Sequence, residues 1–241
     1  MRTSLLKFFL FTLALIVLGG AAIIYAQQPN AQMLEQKLAA VKQSAANNQA
    51  ALHQYQWTES MQVSIGPIQR PPQQFTCKYG PDGTVQKTPV AEAQQQPSGL
   101  AGSKLLEMKM QQAVEQTKEY MEQVQALVRQ YVPPDPEKMQ KAYAAGNAAV
   151  DQSTPGSVQM TFKNYVQSGD SLAFTFDEAS KKMSTLNINT YLNAPSDAVT
   201  VAAQFASLPD GTSYPSQTTV HAAAKNLTVT TTNSNYQKIS Q

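Results

Sequence analysis

The sequence predicts an α+β protein in which an antiparallel sheet carries helices on one face. Segments of alternating apolar and polar residues, separated by short turns rich in glycine and proline, predict the strands. Two segments in which apolar residues recur every three or four positions predict the helices. Strands joined by short turns pair as antiparallel neighbours, so we expect a sheet with one buried and one solvated face.

Residues 1–26 have the pattern of a secretory signal peptide. Arg2 and Lys7 precede an apolar run over residues 8–25, and Ala26 supplies a small residue at the cleavage position. The pattern predicts export to the periplasm, with residues 27–241 forming a single domain. The alternative is retention of the leader, because a run of about 18 residues reaches the lower limit for spanning a bilayer. An uncleaved leader would anchor the protein in the inner membrane through residues 8–25.

The charge and cysteine content narrow the class of protein. Removal of the leader takes two of the 18 basic residues and none of the 16 acidic ones, so residues 27–241 are formally neutral. Nucleic acids are bound by basic surfaces, so we expect no nucleic-acid partner. Cys77 is the single cysteine of the chain, which excludes an intramolecular disulfide. An exported domain without disulfides depends on its hydrophobic core.

A helix and a strand begin the domain. An apolar stripe of helical spacing predicts an amphipathic helix over residues 30–54. Alternation over residues 56–65 then predicts a strand with one apolar face, on which Glu59 is the exception. The apolar members of that face are Trp57, Met61, Val63 and Ile65.

A hairpin follows this strand. Phe75, Cys77 and Tyr79 share one face of a second strand, and Gly80-Pro81-Asp82-Gly83 predicts a tight turn. Residues 84–89 are predicted to complete the hairpin.

Residues 92–153 are predicted to be a helical insertion in the sheet. A linker-like loop leads into the clearest helical periodicity of the chain, over residues 104–131. Prolines over residues 133–136 end that helix. Asp135 is expected to cap a short helix over residues 136–145.

The chain returns to β-structure from Val158 onward. Alternating apolar residues predict strands that carry Val158, Met160 and Phe162; Leu172, Phe174 and Phe176; Leu186, Ile188 and Leu192; and Val199, Val201, Ala203 and Phe205. Two closing strands are predicted near residues 215–221 and 227–232, for a total of seven or eight strands. Asp170, Asp177 and Glu178 lie near one predicted hairpin and are expected to be solvated.

Three segments resemble the LolA/LolB-like family of periplasmic lipoprotein carriers, in particular its divergent lipoprotein-sorting members. They are residues 52–63 (LHQYQWTESMQV), residues 77–89 (CKYGPDGTVQKTP), and residues 210–238, from DGTSYPSQTTV to LTVTTTNSNYQK. The resemblance covers about two thirds of residues 27–241 and leaves out the insertion over residues 92–153.

The resemblance implies a strongly curved antiparallel sheet, an incomplete barrel whose concave side is closed by helices. It also implies an apolar cavity that holds acyl chains of a lipoprotein in transit. Carriers of this family use a polar latch between sheet and helix, often an arginine. Neither Arg70, in a proline-flanked loop, nor Arg129, on the insertion helix, can be assigned that role from the sequence.

The resemblance makes the inward apolar side chains of the strands candidates for the cavity wall. These are Trp57, Met61, Val63, Ile65, Phe75, Phe162, Leu172, Phe174, Phe176, Leu186 and Ile188. The alternative is a sealed core, because an apolar pocket and an apolar core have the same sequence pattern. The stripe of the insertion helix is the candidate lid, and its members are Met110, Val114, Met121, Val124 and Val128. A helix packed permanently on the sheet is the alternative to a lid.

The sequence offers no set of residues for catalysis. His53 and His221 are the two histidines of the chain, their spacing fits no metal site, and they are expected at the surface or hydrogen-bonded. We therefore expect no enzyme, cofactor or metal site. The leader and the resemblance to lipoprotein carriers imply a periplasmic binding protein that carries the acyl chains of a lipid or lipoprotein. Its membrane contact would be transient, or made by an uncleaved leader. The alternative is a non-enzymatic envelope module whose helices dock a protein partner.

Overall fold

A computed structural model describes residues 43, 46–90, 118–180 and 182–239. Eleven strands of this part form one antiparallel sheet. They are β1 (Tyr55–Ile65), β2 (Ile68–Gln69), β3 (Gln73–Tyr79), β4 (Val85–Pro89), β5 (Ala148–Asp151), β6 (Ser157–Lys163), β7 (Ser171–Asp177), β8 (Met183–Tyr191), β9 (Ala198–Ser207), β10 (Ser213–Ala222) and β11 (Leu227–Lys238).

Three helices accompany the sheet in the described part of the chain. Helix α1 covers residues 46–52, α2 covers residues 118–128, and α3 is Pro136–Ala144. The side chain of Asp135 caps α3 by accepting a hydrogen bond of 2.9 Å from the Glu137 amide. Gly146 follows the helix with φ of +72°, a conformation that favours glycine. These contacts confirm the short helix predicted at this position.

The strands follow the order β4-β3-β1-β11-β10-β9-β8-β7-β6-β5, and β2 pairs with β1 as a short extra strand. The last strand of the chain, β11, therefore lies between β1 and β10 in the middle of the sheet. Strands β4 and β5 form the two edges, and the described strands are not closed into a barrel. The α+β class and the antiparallel sheet are confirmed.

The sheet is larger than the sequence predicted. Strand β5 lies inside the insertion predicted over residues 92–153, where its four residues pair with β6. Strand β2 lies between the prolines Pro67 and Pro71, in a segment for which no strand was predicted. Both are short, so neither is long enough to show a periodicity. Residues 91–117 lie outside the described part of the chain.

Strict alternation places the apolar side chains on one side of the sheet, which we call the apolar face. The register aligns one row of them across seven strands, and its members are Val63, Val229, Val220, Val201, Ile188, Leu172 and Phe162. The neighbouring row consists of Met61, Thr231, Thr218, Ala203, Leu186, Phe174 and Met160. The side chains of the first row are all nearly inaccessible to solvent, and they form the centre of the core.

The opposite face of the central strands is polar and uncharged. Its outward positions carry threonine, serine, glutamine, asparagine, alanine and one histidine; on β10 and β11 they are Gln217, Thr219, His221, Thr228, Thr230 and Thr232. His221 hydrogen-bonds Thr228 across the two strands at 3.0 Å. This face is the solvated one that alternation predicts.

Truncation of the row at Ile188 tests whether this face forms one core. Ile188→Ala removes a fully buried side chain from mid-sheet, so the free energy of unfolding should fall by about 3 kcal/mol. Asn189→Ala, next along β8 but exposed on the opposite face, should change it by less than about 0.5 kcal/mol. Urea denaturation followed by circular dichroism measures both, and equal losses would contradict the assignment of the two faces.

Candidate functional site

The structure places all eleven candidate cavity residues on the apolar face. Nine are buried in one continuous core: Trp57, Met61, Val63, Phe75, Phe162, Leu172, Phe174, Leu186 and Ile188. Ile65 and Phe176 are half-buried and pack against it. The set is therefore contiguous, as alternation requires.

The candidate lid packs on this face. Met121, Val124 and Val128 of helix α2 belong to the same core, and Val124 and Val128 are completely buried. Met110 and Val114 lie outside the described residues. In this structure, the described part of the predicted lid is closed on the sheet.

Two tyrosines tie helix α2 and the segment that follows it to loops of the sheet. The Tyr120 hydroxyl donates a hydrogen bond of 2.6 Å to Asp197, in the loop between β8 and β9. The Tyr131 hydroxyl donates one of 2.5 Å to Asp170, in the loop between β6 and β7, and lies 2.7 Å from the Thr190 hydroxyl. The two tyrosines are about three helical turns apart along the sequence. We call these contacts the tyrosine ties.

The Asp170 carboxylate is held in place by backbone amides of its own loop. It accepts hydrogen bonds from the backbone amides of Tyr165, Val166 and Gln167, at 2.5, 2.9 and 2.8 Å. Burial, and then the hydrogen bond to Asp170, raise the pKa of Tyr131, so its hydroxyl stays protonated and remains a donor. Asp170 is 2% exposed. The expectation that it is a solvated turn residue is therefore wrong, because the turn wraps its amides around the carboxylate.

The apolar face is buried to different depths at its two ends. Near α2 and the tyrosine ties, Leu172, Ile188 and Val199 are completely inaccessible to solvent. At the other end of the same strands four apolar side chains are only half-buried, namely Val158, Met160, Phe176 and Phe205, whereas Met183, opposite Phe176 on β8, is 3% exposed. We call these four residues the open end. The face is therefore sealed beneath the helix and partly exposed away from it.

Aromatic rings cluster on β1, β3, β10 and β11, on the same side of the sheet. Trp57 stacks on Tyr236 with 5.5 Å between ring centroids and lies 5.4 Å from Tyr79. Tyr236 lies 4.3 Å from Tyr214. A shift of register in the pairing of β1 with β11 accompanies this cluster. We call Trp57, Tyr79, Tyr214 and Tyr236 the aromatic cluster.

His53 extends the aromatic cluster by stacking on Tyr79 at 4.4 Å. Its Nε2 atom is buried and makes no hydrogen bond within the described part of the chain. The expectation of a surface or hydrogen-bonded histidine is therefore wrong for His53, and it holds for His221. The hairpin turn that follows Tyr79 passes beside the ring, since a Cβ atom on Gly83 would lie 3.8 Å from its Cε1 atom.

A buried ion pair lies beneath the aromatic cluster. Glu59, the exception on the apolar face of β1, pairs with Lys87 of β4, and both side chains are almost completely buried. Cys77 lies on β3 between them and is inaccessible to solvent. Burial, and then the charge of Glu59, raise the pKa of the Cys77 thiol to about 12. The thiol therefore stays neutral at physiological pH and is a poor nucleophile.

Comparison with protein-family models and with curated proteins finds no match to this chain. In the described part of the chain, no helix combines the length and the apolar character needed to cross a membrane. The predicted leader, residues 1–26, lies outside that part.

Sequence reasoning missed the polar residues of this side of the sheet. The resemblance implies an arginine latch, whereas the contacts that hold α2 and the following segment in this structure are hydrogen bonds between tyrosine and aspartate. One signal is present in the sequence: Tyr120 and Tyr131 are about three helical turns apart, so both lie on the apolar side of the helix predicted over residues 104–131. Their aspartate partners are in loops, which no periodicity marks.

Removal of a tie should destabilise the closed helix. Tyr131→Phe deletes a buried hydrogen bond to a carboxylate, so the free energy of unfolding should fall by about 2 kcal/mol. Tyr120→Phe should cost less, because the hydrogen bond between Tyr120 and Asp197 is only partly buried. Tyr143→Phe is the control, since Tyr143 is 59% exposed. Urea unfolding of the three variants measures the losses, and equal stability of Tyr131→Phe and Tyr143→Phe would contradict the role of the tie.

Proposed function

We propose that the protein is a non-enzymatic carrier of the cell envelope that holds acyl chains of a lipid or lipoprotein against its apolar face. One observation carries the proposal: a continuous apolar face that is sealed under helix α2 and only half-buried at its open end. An acyl chain is a long, flexible apolar ligand. A row of aliphatic and aromatic side chains across seven strands has the length and chemistry to receive it.

Burial of the acyl chain can supply enough free energy for tight binding without any polar contact. Each methylene group removed from water contributes about 0.8 kcal/mol. A chain that lies along a few strands would therefore bind tightly, and it could still be extracted by a partner that offers an equally apolar surface.

Entry of a chain requires movement of the covering helix. The side chains beneath α2 have no room for a ligand, because Val124 and Val128 of the helix and Leu172 and Ile188 of the sheet are all fully buried. The tyrosine ties are then the contacts that hold the closed state. In this proposal the chain enters at the open end and displaces α2 as it advances.

An open sheet covered by helices is compatible with the incomplete barrel that the resemblance to lipoprotein carriers implies. Periplasmic location and export through residues 1–26 belong to the same proposal. The docking of an envelope protein by the helices stays an alternative prediction. For the described part of α2 the apolar side faces its own sheet, which leaves its polar side for such a partner.

The direct test is a titration of the delipidated protein with a fluorescent fatty acid. We expect saturable binding of the probe, with competition by unlabelled palmitate. Phe176→Asp places a charge at the open end and should weaken binding at least tenfold. Its matched control is Thr175→Asp, which places the same charge one residue earlier on the opposite face and should bind as the wild type does.

Two results would overturn the carrier proposal. The first is an absence of saturable binding by the wild-type protein, which would favour a sealed core. The second is equal binding by Phe176→Asp and Thr175→Asp, with circular dichroism spectra like that of the wild type, which would place the ligand elsewhere.

A further inference from the structure

Three hydroxyl groups of the aromatic cluster have no hydrogen-bond partner among the described residues. They belong to Tyr79, Tyr214 and Tyr236, whose rings are half-buried and follow one another through Trp57. The buried tyrosines elsewhere on this side are different. Tyr120, Tyr131 and Tyr55 each donate to an aspartate. Among the described residues the buried side-chain atom that lacks a partner is His53 Nε2, so the three phenol hydroxyls keep some contact with solvent and are free to donate to a ligand.

The rings of Tyr79, Tyr214 and Tyr236 lie in a common region, in which Tyr79 and Tyr236 are partly desolvated. Burial raises the pKa of Tyr79 to about 12. Burial, and then the nearby Tyr79 and Tyr214 side chains, raise the pKa of Tyr236 still further. The phenols of Tyr79 and Tyr236 therefore stay protonated, and each can act as a hydrogen-bond donor.

A second pair of unused donors lies deeper on the apolar face. Thr218 and Thr231 are directly opposite each other on β10 and β11, and they are 6% and 8% exposed. Within the described part of the chain, neither hydroxyl makes a side-chain hydrogen bond. On the other side of the same two strands, Thr219 and Thr230 lie within 3.4 Å and hydrogen-bond each other. The outward pair of threonines is thus hydrogen-bonded, whereas the inward pair, Thr218 and Thr231, is not.

One of these donors, Tyr214, lies near the open end. Tyr214 lies on β10 where that strand pairs with the end of β9, opposite Ala206 and next to the pair of Pro215 with Phe205. Phe205 is part of the open end. Tyr214 is therefore close, along the sheet, to the point at which an acyl chain would enter.

The charges of this region favour an uncharged ligand. Glu59 and Lys87 are both present, and they neutralise each other in a buried ion pair. A phosphate or carboxylate brought to the cluster would lose its hydration beside the Glu59 carboxylate. A carbonyl oxygen accepts hydrogen bonds from phenol and alcohol hydroxyls without that cost.

We propose that Tyr79, Tyr214 and Tyr236 form a binding site for the acyl carbonyl groups of a neutral, esterified ligand whose hydrocarbon chains lie on the apolar face. Thr218 and Thr231 supply further donors along the path of the chains. This inference rests on the proposed carrier function and deepens it, because it selects acylated molecules over free hydrocarbon chains. The aromatic rings contribute an apolar surround that excludes water and strengthens each hydrogen bond.

The test compares two ligands that differ only in their carbonyl groups. Dioctanoylglycerol carries two ester carbonyls, and dioctylglycerol ether has the same number of chains without them. Trp57 is the single tryptophan of the chain and is stacked on Tyr236, so its fluorescence reports binding at the cluster. We expect the wild-type protein to bind the ester at least tenfold more tightly than the ether.

The variants Tyr214→Phe and Tyr236→Phe keep the rings and remove the hydroxyls, so they should fold. The double variant should bind the ether as the wild type does and should lose most of the preference for the ester. Tyr143→Phe, exposed on α3, is the matched control and should keep the full preference.

The outcomes distinguish a failure of the carbonyl site from a failure of the carrier function. Equal affinity of the wild type for ester and ether would overturn the carbonyl site and leave the carrier function standing. An ester preference that survives in the double variant would overturn the assignment to these tyrosines. Failure of both ligands and of the fatty-acid probe to bind would overturn the carrier function itself.

Discussion

One constraint governs this molecule: a single open sheet with one apolar face must have that face covered. Antiparallel pairing satisfies the backbone of eleven strands, but it leaves a surface of valine, leucine, isoleucine and phenylalanine that water disfavours. In the described part of the chain, α2 covers one end of this surface and is held there by Tyr120 and Tyr131. The other end is covered less completely. The same physical requirement thus explains the core, the tyrosine ties and the open end.

Local patterning was enough to predict most of the sheet. Period-two alternation in β1 and β9 showed which side chains face inward, since burial on one face imposes that period on the sequence. Asp135, an N-cap followed by a proline, and Gly146, a glycine after the last turn, marked the two ends of α3. The position of β11 between β1 and β10 could not be predicted, because strand order depends on contacts between residues far apart in the chain. The resemblance to lipoprotein carriers stays a prediction.

The partners of the buried polar residues could not be predicted from sequence patterns. Alternation predicted that Glu59 faces the core, but Lys87 as its partner is on an edge strand 28 positions away. Asp170 looked like an ordinary loop residue because its environment is made by backbone amides, which leave no trace in the sequence. A buried charge is costly unless its partners are in place. These groups therefore limit how the sheet and its covering helices can be arranged. The ion pair of Glu59 and Lys87 lies beside the proposed carbonyl site, and Asp170 lies at the tie that holds the segment after α2.

Native mass spectrometry of the full-length protein, purified from the cell envelope without detergent, tests the central claim most directly. The account predicts a population with added mass that corresponds to an acylated molecule, and loss of that mass after extraction with organic solvent. A single apo mass that persists after incubation with diacylglycerol and palmitate would contradict it. The apolar face would then be a closed core, and α2 a permanent part of the fold.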